Sequence, residues 1–361
     1  IFKIFLIIFL LIMANNLIVK LIERLGDTDE ERLKKSNQIA SGVMLINTLS
    51  QIYLKIKKDA QFQFPVYYDK INGYNKEEIT ELLGKLTVTN SKLQYTIGNA
   101  KIDYKPLNSN CGCEPMFTNI LSGSYSCKSK FSNVNVANTM ILFSGITLLS
   151  HLLISTILFK KYLIWIKKDK TNFLRWIEYF FTSSIMITSI VGLTGIMNVE
   201  EIAPLIILTG VTNMFGLAIE SIKSNKPKYM NVKKILFVSG FLTQGYPWFR
   251  ILQSFRKRIQ EQNNFFDITE EILNENQHSE LEVVLRQNIK NFRGIQKIIT
   301  SSTISLFISY FIFPYIMYKQ YFKGIVTSKK YCRGEIEYIA ASIISKTSLV
   351  WQIFGGAFRE N

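Results

Sequence analysis

The sequence predicts an all-α membrane protein, a bundle of seven transmembrane helices with a small β-hairpin-containing extracellular loop. Three observations carry this. Of 361 residues, 48% are apolar and 19% charged, where a soluble domain spends about a quarter on charge. The apolar residues gather in runs of roughly 20, the length a bilayer crossing needs. The 43 Lys and Arg exceed the 27 Asp and Glu, a net +16, and they cluster between those runs as basic loops beside a membrane do. The 26 Phe and 17 Tyr exclude a disordered chain. Two His and four Cys leave little material for a metal enzyme, and no enzymatic activity is expected. The basic clusters track membrane sidedness, so membrane lipids are expected as partners and nucleic acid is not.

Residues 1–35 read as an N-terminal extension. Its apolar run Ile4–Ala14 suits a signal-peptide core better than a span, although no small-residue cleavage site follows. The seven-helix bundle covers 36–357. Its first span, 36–56, is diluted by Asn47, Thr48, Ser50 and Gln51 but is long enough to cross. Six stronger spans lie at about 134–159, 173–197, 202–222, 233–255, 296–318 and 336–357. Two polar inserts, 57–133 and 256–295, interrupt the series. In the first, Leu93–Ile97 and Ala100–Tyr104 alternate on either side of Gly98-Asn99, a hairpin signal; Asn75–Lys85 reads as a short helix. In the second, Ser279–Phe292 is amphipathic and reads as a solvated helix.

Loop charges orient the bundle. Residues 160–175 hold six Lys or Arg against Asp169, 220–234 hold five against Glu220, and 319–335 hold five against Glu335. Residues 198–201 hold none and carry Glu200 and Glu201. Positive-inside places the three basic loops in the cytoplasm. The N-terminus is then cytoplasmic, the C-terminus extracellular, and both inserts are outside. Cys111, Cys113 and Cys127 fall where disulfides persist, so one bridge to Cys127 is expected, with an odd thiol left over. Cys332 reads as free, on the cytoplasmic side.

Two ionisable residues stand inside spans. Lys346 lies near the middle of the last, where a bare ammonium costs at least about 2.5–3.5 kcal/mol. Glu178 lies about six residues into the third. Both spans run from inside to outside, and at about 1.5 Å per residue the two depths are compatible with a pair. The pair reads equally well as a packing salt bridge or as a modified lysine, since a desolvated Lys readily forms Schiff bases whose charge a carboxylate would hold.

The segment Ser150–Ile196, with Arg175, Trp176, Glu178 and Tyr179 followed by Thr182, Ser183, Ser184 and Met186, resembles helices B and C of the heliorhodopsins. Glu337–Gly356 resembles their helix G, with the retinal-binding lysine on Lys346, a Ser-x-x-x-Lys spacing from Ser342, and the ending Trp351-Gln352. Asn213–Glu220 is similar to helix D, Pro247-Trp248 to the Pro-Trp of helix E, and Gln63–Val66 to the stretch after helix A. The resemblance implies a rhodopsin-like light-absorbing protein of inverted topology. Lys346 would carry all-trans retinal as a protonated Schiff base, with Glu178 its counterion. His151 would belong to a polar site nearby, and Ser342, Thr182, Met186 and Trp248 would complete the cofactor-binding set. Phe215, Phe307 and Phe311 are further candidates for the slot. The implied activity is a slow photocycle in a signalling or regulatory photoreceptor, a homodimer joined through the first loop, with an unknown signalling partner.

The sequence departs from the family at the helix-A histidine, which falls on Met44, at the helix-F serine, for which Ser309 is the nearest candidate, and in the longer inserts. Two alternatives stay open. One is a light-gated passive proton or cation conductance along Asn47, Thr48, Ser50 and Gln51. The other is a pigment-free membrane scaffold.

Overall fold

The computed structural model describes residues 16–58, 63–67, 86–89, 92–97, 100–103, 130–224, 226–275 and 279–357. It is mostly helical. A helical segment at 16–23 leads into α1 (Asp29–Lys58). The strands β1 (Gln63–Tyr67), β2 (Leu86–Thr89), β3 (Lys92–Ile97), β4 (Ala100–Asp103) and β5 (Lys130–Asn135) follow. The rest is helical: α2 (Val136–Ser155), α3 (Phe159–Ile164), a π-helical turn at Trp165–Asp169, α4 (Phe173–Leu193), α5 (Val199–Ser221), α6 (Pro227–Glu275), α7 (Ser279–Tyr310), α8 (Ile312–Tyr321) and α9 (Ser328–Ala357).

Strands β2, β3 and β4 form an antiparallel sheet in which Gln94 faces Asp103 and Ile97 faces Ala100. Strand β1 pairs with β5, Gln63 opposite Asn135, so the chain returns from the first insert beside the point where it left. Gly98, Asn99, Cys111, Cys113, Cys127 and the stretch Asn75–Lys85 lie outside the described residues.

Helix starts follow their caps. Asn135, Asn172 and Asn198 each accept a backbone N–H of the following turn, opening α2, α4 and α5. Asp29, Glu30 and Glu31 sit in the first turn of α1, where acid complements the helix dipole. That helix therefore begins seven residues before the span expected at 36, because polar turns at its start carry no hydropathy signal. Val19, Ile22 and Leu33, expected in an extension, are buried in the core.

The helices differ from the expected spans in three other places. Helix α2 stops at Ser155, where the Ser155 and Thr156 hydroxyls both turn back onto the Leu152 carbonyl and compete with the helical bond. The span expected at 296–318 breaks between Tyr310 and Ile312, because Pro314 offers no N–H to the Tyr310 carbonyl and its ring crowds it. The insert expected at 256–295 is helical over its described length: α6 runs on to Glu275 and α7 starts at Ser279. Arg293 ties the two extensions together through Asp267 and Glu270.

Packing proceeds round the molecule from α1 to α2, α4, α5, α6, then α7 and α8 to α9, and α9 returns to α1. The outward faces carry exposed Leu45, Ile46, Leu49, Leu142, Ile207, Ile235 and Leu242, a surface suited to lipid. Three helical stretches, Asp29–Lys57, Val136–Ser155 and Val199–Ser221, are long and apolar enough to cross a membrane. Two large apolar clusters fill most of the interior among the described residues. One gathers Tyr162, Trp176, Ile219, Tyr331 and Tyr338 near the ends where α4 and α9 begin. The other gathers Met140 and Phe143 of α2 and Trp248 of α6 with Ile187 and Leu349, which lie farther along α4 and α9.

Candidate functional site

Between the clusters three polar side chains from three helices meet. Lys346 of α9 pairs with Glu178 Oε1 of α4. Thr147 of α2 donates its hydroxyl to the same oxygen at 2.7 Å and accepts from Lys346 Nζ at 2.8 Å. All three are buried. Helical side chains lean toward the N-terminus, so the Lys346 amine sits below its own Cα, at the level Glu178 reaches. The rings of Tyr179 and Phe143 lie 5.2 and 5.6 Å from the amine and add cation–π attraction. The group holds one positive and one negative charge, the form in which a buried ion pair is tolerable.

The amine opens onto a cavity of about 470 Å³, inside the range of small-molecule sites. Met186, Phe215, Trp248, Phe307 and Phe311, expected in a slot, all line it, as do Thr182, Ser309 and Lys346. Trp248 packs edge-on against Phe307 and Tyr310, at 5.3 and 5.5 Å between centroids. Gly216 brings α5 against Trp176; a Cβ there would lie 2.2 Å from the indole ring.

The other expected residues lie beside this wall. His151 is buried one turn beyond Thr147, and its Nδ1 lies 2.8 Å from Asn37 Oδ1. Asn37 spends its amide nitrogen on the Leu33 carbonyl at 2.8 Å, so its oxygen faces the ring and Nδ1 is the donor. Ser342 is buried one turn before Lys346, whereas Ser345 is the α9 serine in the wall. Met44, expected in place of the family's helix-A histidine, is buried.

The polar residues of α1 are spent on neighbours. Asn47 donates to Thr347 at 2.9 Å and accepts from Trp351 at 3.1 Å. Gln51 donates to Ser144 at 2.8 Å, and Thr48 turns back to the Met44 carbonyl. The Asn47 and Gln51 bonds fasten α1 to α9 and α2.

Sequence reasoning missed Thr147, whose only signal is its place four residues before His151, on the same helix face. It also missed Asn37 as the partner of His151. Arg175, Glu220 and Glu335, counted as loop charges, are buried together: Arg175 bridges both carboxylates, and Asn172 donates to Glu335 at 2.9 Å. Glu178 is therefore not the only acid inside the protein.

Fold and site together define an integral membrane protein whose helices enclose an apolar cavity with a carboxylate-paired lysine in its wall. The family model for heliorhodopsin matches residues 113–268 and 283–358, and the chain belongs to the heliorhodopsin family. Comparison with curated proteins finds no match. The family is one of photoreceptor-like membrane proteins and implies a retinal chromophore. The residues present fit that group: a buried primary amine, paired behind the wall with a carboxylate, stands in the wall of an aromatic and apolar cavity.

Proposed function

We propose that the protein is a light-absorbing signalling or regulatory photoreceptor that holds all-trans retinal on Lys346 as a protonated Schiff base, with Glu178 as counterion. The observation that carries this reading is the buried Lys346–Glu178–Thr147 group, whose lysine stands in the wall of the cavity. Bound retinal supplies visible absorption and a light-driven change of shape. The protein's own residues do the rest. Glu178 neutralises the positive charge at Nζ, and the Thr147 hydroxyl holds the carboxylate in place. Thr182, Met186 and Trp248 shape the slot, while Ser342 and His151 supply polar groups beside it. The pigment is then sensitive to light through the charge at Nζ, and a slow cycle follows as helices that share this charge relax.

The bundle is read as seven crossings over 36–357, with a cytoplasmic N-terminus and both inserts outside. The sheet of β2, β3 and β4 belongs to the outer loop, through which two copies would pair as a homodimer. The interhelical bonds of Asn47 and Gln51 favour the receptor over a conductance along α1.

An absorption spectrum of protein purified with retinal tests the reading. A visible band that hydroxylamine bleaches is expected, and Lys346→Ala should be colourless while still inserting in the membrane. A Lys346→Ala protein that keeps the colour would reject the assignment, and a wild-type protein with no band would leave the scaffold.

A further inference from the structure

The face of α9 that carries Lys346 continues as a file of buried polar residues. Tyr331, Glu335, Tyr338, Ser342 and Lys346 follow one another at spacings of four, three, four and four, so they share one side of the helix. Each is at most 6% exposed. Helix α4 lies along this file in parallel. Asn172 and Arg175 meet Glu335, the Tyr179 hydroxyl donates to the Tyr338 carbonyl at 3.4 Å, and Glu178 meets Lys346. The Arg175 guanidinium also lies over the Tyr338 ring, 4.1 Å from its centroid.

The far end of the file is a charge cluster with more acid than the receptor reading uses. Glu220 and Glu335 share Arg175, and Glu220 also accepts from Trp176 Nε1 at 2.6 Å and from the Asn172 backbone at 3.2 Å. Along the file, the hydroxyls of Tyr331, Tyr338 and Ser342 make no hydrogen bond of good geometry among the described residues, although Tyr331 lies beside the Glu335 carboxylate and Ser342 beside Tyr179. The Tyr321 hydroxyl and both side-chain polar atoms of Gln320 are in the same condition, and Gln320 packs against Gly334 beside Glu335. Buried polar groups in series are satisfied by ordered water when protein supplies no partner. Glu335 lies 11 residues before Lys346, about 16 Å along the axis, too far for direct transfer and a suitable span for a short chain of waters.

We propose that waters held by Ser342, Tyr338 and Tyr331 form an internal proton path from the Lys346–Glu178 pair to Glu335, and that Glu335 takes up the proton. At one end an N–H bond of Lys346 Nζ breaks; at the other an O–H bond forms on the Glu335 carboxylate. Each water between passes one proton forward and receives one from behind. The positive charge at Nζ and the negative charge at Glu335 disappear together, so no net charge is created inside the protein. Arg175 keeps Glu220 as its partner, which is why this cluster can lose one anion. The light trigger rests on the proposed function; the water file does not.

Two measurements on the full chain in lipid nanodiscs test the path. The first is hydroxyl-radical footprinting by X-ray radiolysis, which marks side chains that touch bound water and needs no pigment. Tyr331 and Tyr338 should be labelled several-fold faster, relative to intrinsic reactivity, than Met140, which is equally inaccessible in the apolar cluster. Labelling at or below the Met140 rate would overturn the path. The second is the light-minus-dark infrared difference spectrum of the pigment. A carboxylic C=O band should appear in wild type, vanish in Glu335→Gln, and rise about tenfold more slowly in Tyr331→Phe, whose absorption maximum stays unchanged because Tyr331 stands outside the cavity wall. The same band in Glu335→Gln, or no band in a cycling wild type, would overturn Glu335 as acceptor. Labelled tyrosines in a protein that takes up no retinal would support the water file and sink the photoreceptor.

Discussion

Glu178 makes two bonds at a single oxygen, to Lys346 and to Thr147, and their consequences differ. Glu178→Gln removes the charge that stabilises the ground-state cation. The absorption maximum should move to longer wavelength and hydroxylamine should bleach the pigment faster; an unchanged maximum would place the counterion elsewhere. Thr147→Val keeps the shape and removes only the hydroxyl. A hydrogen bond to a charged group is worth about 1.5–3 kcal/mol, so the pigment should form with a smaller spectral change and a lower thermal midpoint. Spectra and melting curves of the two variants would rank the contributions. Lys346 and Glu178 were legible because a charge inside an apolar run has few innocent explanations. Thr147 was not, because a threonine in an apolar helix usually bonds to its own backbone, as this one also does to the Phe143 carbonyl at 3.2 Å.

At the scale of helices, the close approach of α5 to α4 depends on Gly216. The Trp176 ring that fills the missing Cβ position is pinned by its bond to Glu220, so it cannot move aside. Gly216→Ala should destabilise the protein by at least about 1–3 kcal/mol, the usual cost of overpacking. Gly145→Ala is the matched control: it has no atom within 4 Å, and alanine is favoured there by about 1 kcal/mol. A fall in thermal midpoint for the first variant and none for the second is the expected pattern. Hydropathy located the helices but misjudged their ends, since α1 starts and α6 finishes in polar turns held by capping and good helix formers. The break before α8 follows from Pro314, yet a proline also sits inside the unbroken α6 at Pro247. Only the packing around each proline decides which helix yields.

For the whole molecule, the basic loops form one surface. Lys170 donates to the Val326 carbonyl at 2.9 Å, Ser328 donates to the Lys167 carbonyl at 3.1 Å, and Lys223 bonds Thr171. The three loops are thus joined at the end of the molecule where α4 and α9 begin. Arg175, Glu220 and Glu335 drop out of the loop count because they are buried, as does Lys233. The bias survives: Lys160, Lys161, Lys167, Lys168 and Lys170 face one acid, Asp169, and the second and third loops keep their remaining Lys and Arg with no acid. Cytoplasmic retention of such loops is the expected outcome of membrane insertion. Helix α9 has 30 residues, about 45 Å at 1.5 Å each, long enough for its far end to reach the other side of a bilayer. An epitope fused after Asn361 should therefore be stained by antibody on intact cells. Staining only after permeabilisation would reverse the orientation.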